Sequence, residues 1–129
     1  MSDEVIAWIQ KAEADYQNAR ILLRQRKTFM PDNICWSCQQ SAEKYLKAYL
    51  IRRKIDYPRR RRHDLVQLRN LCADADPDFR LITEAIATLD QFGTDLRYPG
   101  VSASPQDARC AFDALKQVRA FVRAKLGLA

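Results

Sequence analysis

Apolar residues recur at intervals of three and four along five separate stretches of this chain, and no stretch alternates apolar and polar residues for more than a few positions. The first spacing lines one face of an α-helix, whereas strict alternation would line one face of a strand. Helices are therefore predicted throughout. The presence of only 3 Gly among 129 residues leaves few sites for the turns an all-β fold needs, which supports the same reading.

The stretches have ends as well as faces. The first helix is predicted over residues 3–27, with Ser2 as N-cap and Asp3 and Glu4 at the positive end of the helix dipole. Its stripe is Val5, Ile9, Ala12, Tyr16, Ala19 and Leu23. The second is predicted over residues 31–53, opening on Pro31 and ending before Pro58, which disfavours helical geometry in the residue ahead of it. Ile34, Cys38, Ala42, Tyr45 and Tyr49 form its apolar stripe, widened by Leu46 and Leu50, and its other face carries Gln40, Glu43, Lys44 and Lys47. Such a polar face ordinarily meets solvent.

The third helix opens at Asp64, where Asp64 and Gln67 make a variant capping box ahead of Leu65, Leu68, Leu71 and Cys72. The fourth takes Asp76 as cap and Pro77 as its first residue, with Leu81, Ile82, Ala85, Ile86 and Leu89 inward. The fifth follows Ser104-Pro105 and turns Ala108, Ala111, Leu115, Val118 and Val122 inward before closing near Gly127. Five amphipathic helices on short connections predict one all-α domain over residues 1–129, an antiparallel up-and-down bundle.

Charge is distributed far less evenly than hydrophobicity. The formal net charge is +6, and residues 52–62, RRKIDYPRRRR, hold seven Lys/Arg against one Asp. The 15 bases and 15 acids elsewhere cancel. A field so localised attracts polyanions, and the forked donors of arginine suit phosphate oxygens. The plain alternative is a solvated loop. The run ends at the one histidine, His63, followed by Asp64, which can orient its imidazole or raise its pKa. Tyr57 lies inside the run, and Arg97-Tyr98-Pro99 follows the fourth helix. Arginine with tyrosine can clasp and stack a base, loop packing being the alternative.

Other chemistries find less support. Cys35-Trp36-Ser37-Cys38 has a C-x-x-C spacing but no strand before it and no second close pair, so buried thiols are expected rather than a redox or zinc site. A single histidine among arginines argues against a metal site. No cofactor is expected. No P-loop, nucleophile elbow or Gly-rich phosphate loop is present, against a conventional nucleotide hydrolase. The longest aliphatic-aromatic run is five residues, far short of the ~20 that cross a bilayer, and the opening residues lack a signal-type apolar stretch. A cytoplasmic protein with no membrane contact is expected.

An ordered set of residues carries a family resemblance. It comprises Trp8, Ala12, Asp15, Ala19 and Leu22 on the first helix, then Gln39-Gln40-Ser41-Ala42-Glu43-Lys44 and Lys47-Ala48-Tyr49-Leu50 on the second. His63-Asp64-Leu65 and Arg97-Tyr98-Pro99 complete it. With these the chain resembles the HEPN (higher eukaryotes and prokaryotes nucleotide-binding) family over nearly its whole length. The resemblance implies a helical bundle that forms a symmetric homodimer and associates with nucleotide or RNA. It also implies a minimal nucleotidyltransferase as partner, in modules of toxin–antitoxin or defence type.

Many members are metal-independent ribonucleases with an Arg-x(4–6)-His motif. Here the positions that motif would require ahead of His63 are Pro58, Tyr57 and Asp56, and no histidine follows Arg97. The expected function is thus a non-catalytic HEPN subunit. In it, Arg59, Arg60, Arg61, Arg62 and His63 hold phosphates, and Arg97 and Tyr98 contact a base or a partner. Gln40, Glu43, Lys44 and Lys47 would line a cleft or a dimer seam. Two alternatives stand beside it: a divergent ribonuclease using His63 with a neighbouring arginine, and a pure protein-interaction module.

Overall fold

A computed structural model describes residues 1–58, 64–92, 96 and 99–129. The helices are α1 (Asp3–Leu23), α2 (Pro31–Arg52), α3 (Leu65–Ala75), α4 (Thr83–Asp90) and α5 (Pro105–Lys125), with a 3-10 turn, Pro77–Ile82, leading into α4. No strand occurs among the described residues. The fold is an all-α bundle.

The helix starts follow the sequence signals closely. Ser2 accepts from the Val5 amide at 3.2 Å. Pro31 opens α2, where its missing N–H costs nothing. Ser104 and Asp107 form a reciprocal capping box at 2.9 and 3.0 Å, with Pro105 between them. At α3 the predicted box is only half present. Asp64 accepts from Val66 at 2.8 Å, but Gln67 is exposed; separately, the Leu65 amide donates to the Asp90 carboxylate of α4 at 3.2 Å.

The helix stops are more informative. α1 ends at Leu23 rather than near Lys27, because Arg24 to Thr28 are all exposed and offer nothing to bury. α5 closes with the Leu128 amide donating to the Arg123 carbonyl at 2.8 Å and Gly127 to Ala124 at 3.0 Å, a Schellman stop with Gly127 at φ 76°. α2 closes in the same way, with Ile55 donating to Leu50 at 2.9 Å and Lys54 to Ile51 at 3.0 Å, but here the left-handed residue is Lys54, at φ 57°.

α2 is the axis of the bundle. It touches all four other α-helices, which surround it in the order α1, α5, α4, α3, and α1 does not touch α3. Fourteen of its 22 residues are buried, so it has one narrow open side, marked by the half-exposed Trp36, Gln40, Lys44 and Ile51. Tyr45, Leu46, Tyr49 and Leu50 fill the centre with Leu65, Leu68, Ile86, Leu89, Leu115 and Val118. Phe79 packs on Tyr49 at 4.5 Å between ring centroids and edge-on to Phe121 at 4.9 Å, joining the 3-10 turn to α2 and α5.

The 3-10 turn corrects one part of the sequence reading. The apolar pattern puts Leu81 and Ile82 on one inward stripe, yet Leu81 is 78% exposed while Ile82 is 4% exposed. A turn of three residues stacks positions i and i+3, so Phe79 and Ile82 face the core together and Leu81 is rotated out. Leu81→Ala is therefore expected to change stability by less than about 0.5 kcal/mol, and Ile82→Ala to cost about 2–4 kcal/mol, in urea unfolding. Equal costs would mean that both side chains share the core.

Candidate functional site

The two ends of the basic segment are fixed by burial and capping. On the α2 side, Ile55 is half-buried, and Tyr57 is 6% exposed and belongs to the core. That places Tyr57 in packing rather than on a stacking surface. On the α3 side, Leu65 is fully buried and Asp64 caps the helix. Arg59, Arg60, Arg61, Arg62 and His63 lie outside the described residues, as do Arg97 and Tyr98.

Beside the α3 end stands a carboxylate pair. Burial raises the pKa of Asp90 above its ordinary value, and the nearby charge of Asp64 adds to the rise. Ionised carboxylates held this close repel one another and draw cations. The sequence places His63 and the four arginines directly before Asp64.

The polar face of α2 is covered to a degree its composition did not suggest. Glu43 and Lys47 are each 8% exposed, against the solvent-facing arrangement ordinarily expected. They face each other at 3.7 Å, one helical turn apart, and the Lys47 ammonium lies 5.2 Å from the centre of the Trp8 ring of α1. Lys44 pairs with Asp15 of α1 at 2.5 Å, and Gln40 donates to Gln39 at 2.8 Å. The described structure thus gathers Gln40, Glu43, Lys44 and Lys47 along one side of α2, largely directed against α1. Of the four, Lys44 lines a shallow cleft of about 470 Å³ with Glu4, Ala7, Trp8 and Lys11.

A second polar centre carries no signature in the sequence. Glu13 of α1 accepts from Arg119 of α5 at 2.5 and 3.1 Å, and from the Tyr45 hydroxyl of α2. Arg123 lies 3.6 Å from the same carboxylate and 3.4 Å from the Tyr45 oxygen. Arg119 also sits 4.3 Å from the centre of the Tyr16 ring, which stacks on Phe112. Burial alone would raise the pKa of Glu13, but hydrogen bonds from Arg119 and Tyr45 and the charges of Arg119 and Arg123 outweigh it and hold it below its ordinary value. Burial and the bond to Glu13 push the Tyr45 hydroxyl up to about 12. The group ties α1, α2 and α5 together.

The thiols are packing groups. Cys35, Cys38 and Cys72 are fully buried and Cys110 is exposed, all four free. Burial pushes Cys35 and Cys72 up to about 12 and Cys38 higher still, leaving them protonated and unreactive near neutral pH. Among the described residues no group of three His, Cys, Asp or Glu side chains converges as a metal site requires, and no helix is long and apolar enough to cross a membrane.

The architecture is similar to that of an archaeal HEPN homologue, ST0689, with a TM-score of 0.70 and 25% identity over 97% of this chain and 98% of that one. TT1696 from Thermus thermophilus shares the fold, with a TM-score of 0.73 and 21% identity over 96% and 99% of the two chains. No curated protein matches the sequence. Residues 5–125 match the HEPN domain, and the chain belongs to that family.

The Glu13 cluster yields a pH prediction. A carboxylate whose folded pKa is depressed adds stability that is present above its unfolded value and lost as pH falls through the folded value. Glu13→Gln keeps an acceptor for Tyr45 and removes the charge. It is expected to cost about 1 kcal/mol near neutral pH, since the ion pair is partly screened by solvent. In denaturant melts the gap between variant and wild type should close as pH drops below 4.5, the ordinary value for Glu13. A gap independent of pH would mean that shape, and not charge, holds the three helices.

Proposed function

We propose that this HEPN protein binds nucleotide or RNA through the basic segment and serves as the non-catalytic component of a two-protein module. The observation that carries this reading is the concentration of the whole net charge within residues 52–62. Its support is mechanical as well as electrostatic. The residues that flank the four arginines are held by the fold, Tyr57 by burial and Asp64 as the cap of α3, so both ends of the run are anchored to the bundle. Family membership supports the ligand class. The lack of an Arg-x(4–6)-His motif ahead of His63 supports binding without cleavage.

In this reading Arg59 to Arg62 and His63 hold phosphates, with Arg97 and Tyr98 as further contacts. The partner is a minimal nucleotidyltransferase, as in toxin–antitoxin or defence pairs, and the chain acts as a homodimer. The half-exposed side of α2, with Gln40 and Lys44, is a candidate for the dimer seam.

An RNA titration across salt tests the assignment. Affinity should fall steeply with salt, and changing Arg59 to Arg62 all to Ser should flatten the log–log slope by about 3, at ~0.7 per lost single-strand contact. The RNA should be recovered intact. An unchanged slope would remove the basic segment from the site. Metal-independent cleavage lost on His63→Ala would replace the binding reading with a ribonuclease. Salt-sensitive capture of an acidic protein without RNA would replace it with an interaction module.

A further inference from the structure

A cavity of about 410 Å³ opens where the last turns of α1 meet the first turns of α2. Its size falls in the range of small-molecule sites, roughly 300–1,000 Å³. Leu22 and Leu96 give it apolar walls, Trp36 gives it an aromatic one, and Asn18, Asp32, Asn33 and Ser37 bring polar groups to the same space. Among its described lining residues Asp32 is the single charged one, and it is negative. This is not a phosphate site.

Two observations show that the polar groups are poised rather than consumed. Ser37 is 8% exposed, yet its hydroxyl has no hydrogen-bond partner among the described residues, although a serine inside a helix can turn back to the carbonyl four residues earlier. Ser37 lines the cavity, where its hydroxyl can donate to or accept from a bound molecule. Asp32 is fixed by the Ala103 amide, which donates to one carboxylate oxygen at 2.6 Å. No described residue engages the other oxygen. Asn33 makes one weak contact, from its amide nitrogen to Met30 sulfur at 3.8 Å, and Asn18 lines the cavity from the last turns of α1.

We infer that this cavity binds a nucleobase bearing an exocyclic amine. An aromatic ring stacks any base through its π-face. Carboxamides present a donor and an acceptor side by side, the pair that reads an adenine edge, and a carboxylate accepts from an exocyclic amine. A hydrocarbon ligand would leave the Ser37 hydroxyl and Asp32 unanswered, and a phosphate would be repelled by Asp32. Uracil offers only its N3–H, flanked by two carbonyl oxygens that a carboxylate repels. The inference rests on the nucleotide- and RNA-binding reading and adds its base-recognising half, with Leu96 placing the cavity next in sequence to Arg97 and Tyr98. The interest of the Cys35-Trp36-Ser37-Cys38 stretch then lies in its middle two residues.

Free nucleosides are the test, because they carry no phosphate. In a Trp8→Phe protein Trp36 is the sole tryptophan, so its fluorescence reports occupancy, with isothermal titration as the direct measure. Adenosine should bind saturably and uridine roughly tenfold more weakly. Asp32→Asn, which keeps an acceptor for Ala103, and Asn18→Ala, which keeps a helix-compatible residue in α1, should each weaken adenosine about fivefold or more without changing the circular dichroism. Equal binding of adenosine and uridine, absence of saturation, or indifference to both variants would overturn the inference. The Arg59–Arg62 to Ser variant should retain adenosine within about twofold while losing RNA affinity. RNA binding without nucleoside binding would thus reject the cavity alone, and nucleoside binding without RNA binding would reject the basic segment alone.

Discussion

A helix with water on only one narrow side sets the terms for everything packed around it. α2 buries fourteen of its residues, and five of these, Ser37, Gln39, Ser41, Glu43 and Lys47, are polar or charged. Burial of polar atoms is tolerated only where partners satisfy them, so the neighbouring helices must bring chemistry as well as hydrocarbon. Ser41 illustrates the demand. Its hydroxyl donates to the Ala12 carbonyl at 2.8 Å, a contact possible only because Ala12 is small and α1 approaches closely. Trp8 supplies the surface beside Lys47, and Asp15 neutralises Lys44.

The same demand explains the geometry of α5. It reaches α1 through Glu13 and α2 through Tyr45, so one carboxylate fixes α5, the last helix, against the first two. Apolar stripes alone specify that helices pack. They leave rotation and sliding weakly determined, since many leucine-to-leucine arrangements have similar energies. A partly buried, directional cluster removes that freedom.

Most of the architecture was legible because it follows from local rules. Ser2, Asp76-Pro77 and Ser104-Pro105 mark helix starts through their own short-range hydrogen bonds, and the stripes of α2 and α5 repeat without interruption. What escaped depends on pairings across the bundle. Asp90, 25 residues away, supplies the Leu65 amide with an acceptor that no local rule foresees, and Gln67 points to solvent. Leu81 turned outward because six residues chose three per turn, a change the apolar pattern does not encode. Tyr57 reads in sequence with the arginines around it, but its ring packs in the core. For the candidate site, the sequence marked charge through composition, while the cavity beside Trp36 arises from two helix ends that only the tertiary fold brings together.

The stop at the end of α2 has a mechanical consequence. Lys54 occupies a left-handed conformation that costs a non-glycine residue roughly 1–2 kcal/mol. α5 makes the same turn with Gly127 and avoids that cost. What holds Lys54 in place is the residue after it, since Ile55 bonds back to Leu50 and packs against the core. Two residues further on, Tyr57 is itself buried, so the chain is anchored again before the four arginines begin. A pull on those arginines meets the core at Tyr57 ahead of Ile55, and the strained lysine is sheltered from whatever the charged segment engages.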